Sequence, residues 1–349
     1  MKIAQIAPLY ESVPPKYYGG TERIVSYLTE ELVNQGHDVT LFASGDSLTK
    51  AKLHPVGESA LRLNCHYLDP FAHHALLLGQ VSRLAPSFDI LHFHIDYLHF
   101  PMSRILQIPH LTTLHGRLDL PDLPLLYQEF SEMPVVSISN AQRHPLLFVN
   151  WQATIYHGLP ENLYAFNPQP ENYLAFLGRI SPEKRLDRAI EIAIRAGMEI
   201  RIAAKVDPAD EKYFQKQIKP LLAHPLVNYI GEIGEKEKND FLGKAYALLF
   251  PIDWPEPFGL VMIEAMACGT PVIAYRQGSV PEVMQDGKTG FIVENLEQAV
   301  ITVERISQVS RLGCRQVFEE QFSAKRMAKN YLRLYQTLTK TRVRPRLVS

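Results

Sequence analysis

Short apolar runs alternate with amphipathic stretches along the whole chain. KIAQIA reads as a first strand. A loop rich in Pro, Tyr and Gly follows, then a stretch with Ile24, Val25, Leu28, Leu32 and Val33 on one helical face. Thr21 is placed to cap that helix and Gly36 to stop it. HDVTLFAS, DILHFH, HLTTLH, PVVSIS and ATIYHG continue as strands. This is the βαβ rhythm of a parallel, doubly wound sheet.

The rhythm then restarts. YLAFLG at 173–178 leads into RISPEKRLDRAIEIAIRAG, read as a helix with Leu186, Ala189, Ile190, Ala193 and Ile194 on its apolar face. EIRIAAK, VNYIGE, ALLFPI, TPVIAY and GFIVEN follow as strands. Pro, Asn and Gln cluster in LPENLYAFNPQPEN, which places a linker around 160–171. SAKRMAKNYLRLYQTL, helical in pattern, comes after the second sheet is complete. The pattern predicts two similar-sized Rossmann-like α/β domains with a crevice between them, over 1–165 and 166–322, then a helix and basic tail over 323–349. Ligands of open α/β sheets sit beyond the carboxyl ends of the strands, so motifs there carry the most weight.

Composition narrows the class. A chain of 349 residues is long for one core, and 46% hydrophobic with 21% charged residues is ordinary for a soluble protein. A net charge of −1 gives no reason to expect nucleic acid. Residues 1–165 carry a net −5 and the remainder +4, much of that excess in the ending TKTRVRPRLVS. A solvated tail is the preferred reading of that ending, with a weak peripheral membrane contact as the alternative. Cys65, Cys268 and Cys314 show no CxxC spacing, which suits a reducing compartment. The start lacks the features of a signal peptide, and no apolar run reaches the length of a membrane span, so a cytoplasmic protein is expected. No oligomeric state follows from the pattern.

Three motifs carry chemistry. In KYYGGTE, Gly19-Gly20 lets backbone N–H groups approach an anion at a helix N-terminus, although such a pair is often only a turn. In GRISPEK, Arg179 and Lys184 are two cations beside a strand end, with no acidic residue beyond Glu183 nearby. They suit a diphosphate, and a solvated basic patch is the alternative. The third, WPEPFGLVMIEAMACGTPVIA, sets Glu256 ahead of an apolar helical run and Glu264 inside it. A carboxylate in such company costs stability unless something hydrogen-bonds to it. With a helix opening near Gly259, the backbone N–H groups of Phe258, Gly259, Leu260 and Val261 face the crevice. Eight residues of helical rise put the glutamates about 12 Å apart, comparable with the two ends of a nucleotide sugar across its diphosphate. That spacing is too wide for the acid and nucleophile of a retaining glycosidase, which stand about 5 Å apart.

EPFGLVMIEAMACGTPVIA closely resembles the signature of family-4 retaining glycosyltransferases, as do GGTE, TLHGR, GRISPEK and QDGKTGFIVE, in the right order over essentially the whole chain. The resemblance implies the GT-B architecture, with the donor bound mainly by the C-terminal domain and the final helix crossing back to the N-terminal one. It implies that Glu256 contacts the hydroxyls of the donor sugar and Glu264 the ribose. Arg179 and Lys184 would hold the diphosphate, joined by the Gly19–Gly20 backbone, and His115 would sit near the transferred sugar. No DxD motif is present, so no metal and no cofactor are expected, and the charge on the leaving diphosphate falls to Arg179, Lys184 and backbone amides. The implied reaction transfers a hexose from a nucleotide-diphosphate sugar, by preference a UDP-sugar, to a hydroxyl acceptor with retention. A saccharide acceptor in glycan or polysaccharide assembly is preferred, its choice assigned to loops 9–18, 65–80 and 117–130. The alternatives are a nucleotide-sugar epimerase of the same architecture and a non-catalytic nucleotide-sugar binding module.

Other polar residues invite weaker readings. His92, His94 and His99 in HFHIDYLH, with Asp96 beside them, could ligate a metal, but histidines lining a crevice are commoner. Ser137 and Ser139 have no triad partner, and Lys205 at a strand end is within reach of a phosphate. Tyr156-His157-Gly158 departs from the Asn-Gly of the resembled family at the domain junction, which keeps the bend and puts an asparagine contact in doubt.

Overall fold

The computed structural model describes residues 1–16, 19–62 and 69–340. Cys65, parts of loops 9–18 and 65–80, and most of the basic ending lie outside the described residues. The chain divides into two compact units, Met1–Pro160 with Ala324–Ser349, and Glu161–Ser323.

The first unit is built on β1 (Lys2–Ile6), β2 (Asp38–Ala43), β3 (Lys52–Pro55), β4 (Ile90–Phe93), β5 (His110–Thr113), β6 (Val135–Ser137) and β7 (Trp151–Thr154). All pair in parallel, in the order β3-β2-β1-β4-β5-β6-β7. Strands covered on both faces need apolar residues on both, and β1 and β4 bury Ile3, Ala4, Ile6, Ile90, Leu91 and Phe93. The helix after β1 runs Gly20–Asn34 and begins at the Gly19 cap; Thr21 lies inside its first turn and is not the cap expected. Gly36 takes the left-handed conformation (φ 82°) just beyond its end, as a helix stop requires. Much of loop 65–80 is helix Pro70–Leu84, and Leu123–Glu129 within 117–130 is helical as well.

The second unit contains β8 (Tyr173–Arg179), β9 (Glu199–Lys205), β10 (Val227–Gly231), β11 (Ala247–Phe250), β12 (Val272–Tyr275) and β13 (Gly290–Val293), in the order β10-β9-β8-β11-β12-β13. Its six strands coincide with the six apolar runs of the sequence. The stretch after β8 is not one helix: a tight turn over Pro182–Lys184 and Arg185 at φ 53° precede helix Leu186–Arg195.

Both sheets reverse their winding, between β1 and β4 and between β8 and β11, which are the positions where such folds bind ligands. The terminal helix Ala324–Lys340 packs against the Gly20–Asn34 helix of the first unit, with Met327, Ala328, Tyr331 and Tyr335 buried. It is tied there by the backbone bond from Ala324 N to Leu159 O (2.8 Å). Among the described residues no helix is long and apolar enough to cross a membrane.

Candidate active site

In the second unit, Arg179 ends β8 opposite Lys205 at the end of β9. That parallel register brings the turn after β9 alongside. The Arg179 guanidinium donates to Glu183 (2.5 Å) and also lies 3.6 Å from Asp207 and 3.4 Å from Asp210. The expectation of no acidic neighbour beyond Glu183 is therefore wrong: β9 delivers two more carboxylates from more than twenty positions downstream. Lys205 itself pairs with Asp207 at 3.2 Å.

Lys184 leaves its short turn to form an ion pair with Oε2 of Glu256. The indole N–H of Trp254 donates to the same oxygen at 2.8 Å. The ammonium also lies 5.3 Å from the centre of the Trp254 ring and 5.7 Å from that of Phe250, within cation–π range. Glu256 sits in the loop after β11, outside the helix, so helical rise does not measure its separation from Glu264. The backbone of Glu256 is held by Ser279 N, which donates to its carbonyl at 3.0 Å. Gly278 makes that approach achievable: it has φ +51°, and a Cβ there would fall 2.4 Å from Glu256 N.

Helix Leu260–Cys268 follows directly, capped by Gly259 at φ 77°. Leu260 and Val261 open it, where backbone N–H groups have no intrahelical acceptor and the helix dipole favours an anion. The side chain of Phe258 is buried and meets Phe322 edge-on, so only its backbone is available to a ligand. Glu264 is buried on this apolar helix, and its Oε1 accepts from Lys238 Nζ (2.9 Å) and the Tyr164 hydroxyl (3.2 Å). Tyr164 also bonds Glu235, which lies 3.6 Å from Lys238. The buried carboxylate thus has the hydrogen bonds its position demands.

In the first unit, Gly20 opens the Gly20–Asn34 helix and Gly19 caps it. A Cβ on Gly19 would fall 2.7 Å from Pro15 Cβ, so the turn is too close for any other residue. Glu22 in the first turn is buried, and burial pushes its carboxyl up to about 7. His115 follows β5. Its Nε2 lies 2.9 Å from His94 Nδ1, and its ring stacks on that of His157 with centroids 5.2 Å apart. Its Nδ1 is enclosed and has no hydrogen-bond partner among the described residues. Burial lowers its pKa to about 3, so the ring is neutral.

Three other histidines, His92, His94 and His99, serve the interior of the first unit. His92 bonds Tyr335 and Thr113, His94 bonds Gln5, and His99 bonds Ser103 and Thr112, at 2.7–2.8 Å. Among the described residues no group of three or more His, Cys, Asp or Glu side chains is arranged to hold a metal ion. Ser137 bonds Thr154 and Arg143, and Ser139 accepts from Gln142 N. The sequence reading missed Trp254, Gly278, Ser279, Lys238, Tyr164, Asp207 and Asp210. Only Trp254 carried a signal, being two positions from Glu256.

Two family models account for most of the chain: "Glycosyl transferases group 1" matches residues 165–324 and "Glycosyltransferase Family 4" residues 18–152. The chain belongs to the family-4 glycosyltransferases. Among curated proteins, the N-acetyl-alpha-D-glucosaminyl L-malate synthase of Bacillus anthracis is 24% identical to this glycosyltransferase, over 91% of this chain and 93% of the synthase. Two solved structures share the fold over nearly full length. The sucrose-phosphate synthase of Thermosynechococcus elongatus aligns with a TM-score of 0.79 at 18% identity, covering 98% of this chain and all of that one. Anabaena Alr3699/HepE in complex with UDP and glucose aligns at 0.75 and 17%, covering 97% and 100%. The two parallel sheets of this glycosyltransferase are those of the GT-B fold.

Proposed function

We propose that this glycosyltransferase moves a hexose from a UDP-sugar to a hydroxyl of a saccharide acceptor, with retention and without a metal ion, in glycan or polysaccharide assembly in the cytoplasm. The observation that carries the reading is the Lys184–Glu256–Trp254 cluster immediately ahead of the Leu260–Cys268 helix, with the buried Glu264 one turn into it. Lys184 stands where it can pass from Glu256 to a diphosphate, leaving the carboxylate to accept from hydroxyls of the sugar. Arg179 and the N–H groups of Leu260 and Val261 add positive charge for the leaving group, an electrostatic task that needs no reorganisation during reaction. Glu264 takes the ribose hydroxyls in place of one of its present donors. His115 and the Gly19–Gly20 backbone keep the roles that the family resemblance implies, near the transferred sugar and at the diphosphate. Attack comes from the face the diphosphate leaves, whose oxygen assists deprotonation of the acceptor, so no protein nucleophile is needed. The UDP and glucose bound to the Anabaena protein support a UDP-sugar as donor.

The test is a donor screen. Purified protein is incubated with UDP-, GDP- and ADP-hexoses, with and without mixed saccharide acceptors, following nucleotide release and product mass. UDP release with an acceptor gaining one hexose is expected, with the anomeric configuration retained in the product. Isomerisation of the donor without release would replace this reading with an epimerase. Activity is expected to survive EDTA; loss restored by a divalent cation would overturn the metal-free mechanism.

A further inference from the structure

Seven polar side chains of the first unit form one buried chain of hydrogen bonds, and its direction decides what His115 offers a ligand. Gln5 Nε2 donates to the Tyr335 hydroxyl at 3.1 Å, and Gln5 Oε1 lies 2.8 Å from His94 Nε2. An amide oxygen only accepts, so His94 carries its proton on Nε2. Burial holds His94 well below its ordinary pKa, so the ring has that one proton and Nδ1 bears a lone pair. The 2.9 Å contact with His115 Nε2 then requires the proton of neutral His115 to sit on Nε2. Its Nδ1 is left as an acceptor.

The other arm of the chain agrees. Tyr335, having accepted from Gln5, donates to His92 Nδ1 at 2.7 Å. His92 Nε2 donates to Thr113 Oγ1 at 2.8 Å, and Thr113 donates to the Tyr331 hydroxyl at 2.8 Å. Reversing every bond would instead place an N–H on His115 Nδ1, enclosed and without an acceptor among the described residues. Buried orphan N–H groups are rarer than under-satisfied acceptors, which favours the direction given.

We propose that Gln5, His94 and Tyr335 are positioning residues that hold His115 in the tautomer protonated on Nε2, so that Nδ1 accepts a hydrogen bond from a hydroxyl of the donor sugar. The sugar as ligand rests on the function proposed above; the tautomer does not. His115 is then neither acid nor base. It is a fixed acceptor, and a ligand must bring it an O–H. The terminal helix, which supplies Tyr335, thereby acts on the site from a residue that does not touch the ligand.

The tautomer is read directly by correlating the ring protons and nitrogens of histidine in the free, nitrogen-15-labelled protein, with His115 assigned from a His115→Asn sample. A protonated Nε2 and a bare Nδ1 are expected; a proton on Nδ1 would overturn the proposal. Gln5→Leu removes the acceptor for His94 and should lower kcat/KM for the donor about tenfold, the loss expected for one hydrogen bond to a neutral group. Gln5→Glu keeps an acceptor facing His94 and should retain the Nε2 proton on His115. The Gln5→Leu loss should vanish with the deoxy donor that lacks the hydroxyl in question. An unchanged kcat/KM in a folded Gln5→Leu protein would end the positioning role and leave the donor assignment intact. Failure of every donor in the screen would instead refute the functional reading, with the tautomer still legible in the free protein.

Discussion

The two units keep polar groups near their sheet ends in opposite ways. In the second unit the groups are charged and already paired: Lys184 with Glu256, Lys238 with Glu264, Arg179 with Glu183, Asp207 and Asp210. In the first they are neutral and linked: His115, His94, Gln5, Tyr335 and His92 share protons along one hydrogen-bonded line. A paired charge can be handed to a ligand of either sign, because its partner remains to compensate the other half. A neutral chain transfers no charge and instead fixes which atom donates and which accepts.

The sharpest way to break this contrast is to remove one charge of a pair. Glu256→Ala should lower kcat by about 100-fold or more while UDP affinity moves little, whereas Glu264→Ala should weaken UDP binding about tenfold. Steady-state kinetics and calorimetric titration separate the two, and equal effects on both quantities would dissolve the division of labour. Next in size is the seat of Glu256. Gly278→Ala forces a Cβ against its backbone, and displacement of the loop should cost about 10- to 100-fold in kcat. An unaltered kcat would mean the seat of Glu256 does not depend on that approach.

A pH experiment tests the neutral chain. His92, His94, His99, His115 and His157 all have pKa values lowered by burial, so each is neutral when folded and binds a proton more readily when unfolded. Their contribution is complete above the ordinary histidine pKa near 6.5 and is lost as pH falls below it. The upper limit is about 1.4 kcal/mol per histidine per pH unit. Glu22, raised by burial to about 7, and Asp96, raised by burial to about 6, act the other way, gaining stability as pH falls towards the ordinary carboxyl range, but the histidines outnumber them. The second unit contains a single histidine, His224. Hydrogen exchange at pH 6.5 and pH 5 should therefore show the first unit loosening first; equal loss in both would undo the comparison. The smallest effect concerns Arg179. Asp207→Asn frees part of its guanidinium and should tighten UDP binding two- to fivefold, about the strength of a half-exposed ion pair. Titration showing no gain would mean the carboxylates do not compete for it.

Much of the frame was legible in the chain. Strands buried on both faces must be apolar at successive positions, so β8, β11 and β12 stand out as runs. The edge strand β3, KLHP, is short and half-exposed and left no such mark. β7 covers Trp151–Thr154 and so begins two residues before the run ATIYHG, because its pairing with β6 sets its start. Thr21 looked like a cap because its side chain suits one, yet the sharp turn at Gly19 starts the helix before it. GGTE, TLHGR, GRISPEK and EPFGLVMIEAMACGTPVIA carried the family resemblance, since the residues of each motif are adjacent in the chain.

The sequence by itself determined the two Rossmann-like halves and most of their strands, and it carried the motifs that mark the family, because periodicity and motif are local properties. Only the tertiary structure decided what those segments meet. Parallel register brought Asp207 and Asp210 to Arg179, a loop after β12 seated Glu256, and Lys238 with Tyr164 made the buried Glu264 tolerable. The same holds for the line from Tyr335 to His115, whose first contact, with Gln5, joins residues 330 positions apart. Hydrogen bonds and ion pairs depend on separation in space, and a linear chain does not encode that separation until the sheets have formed.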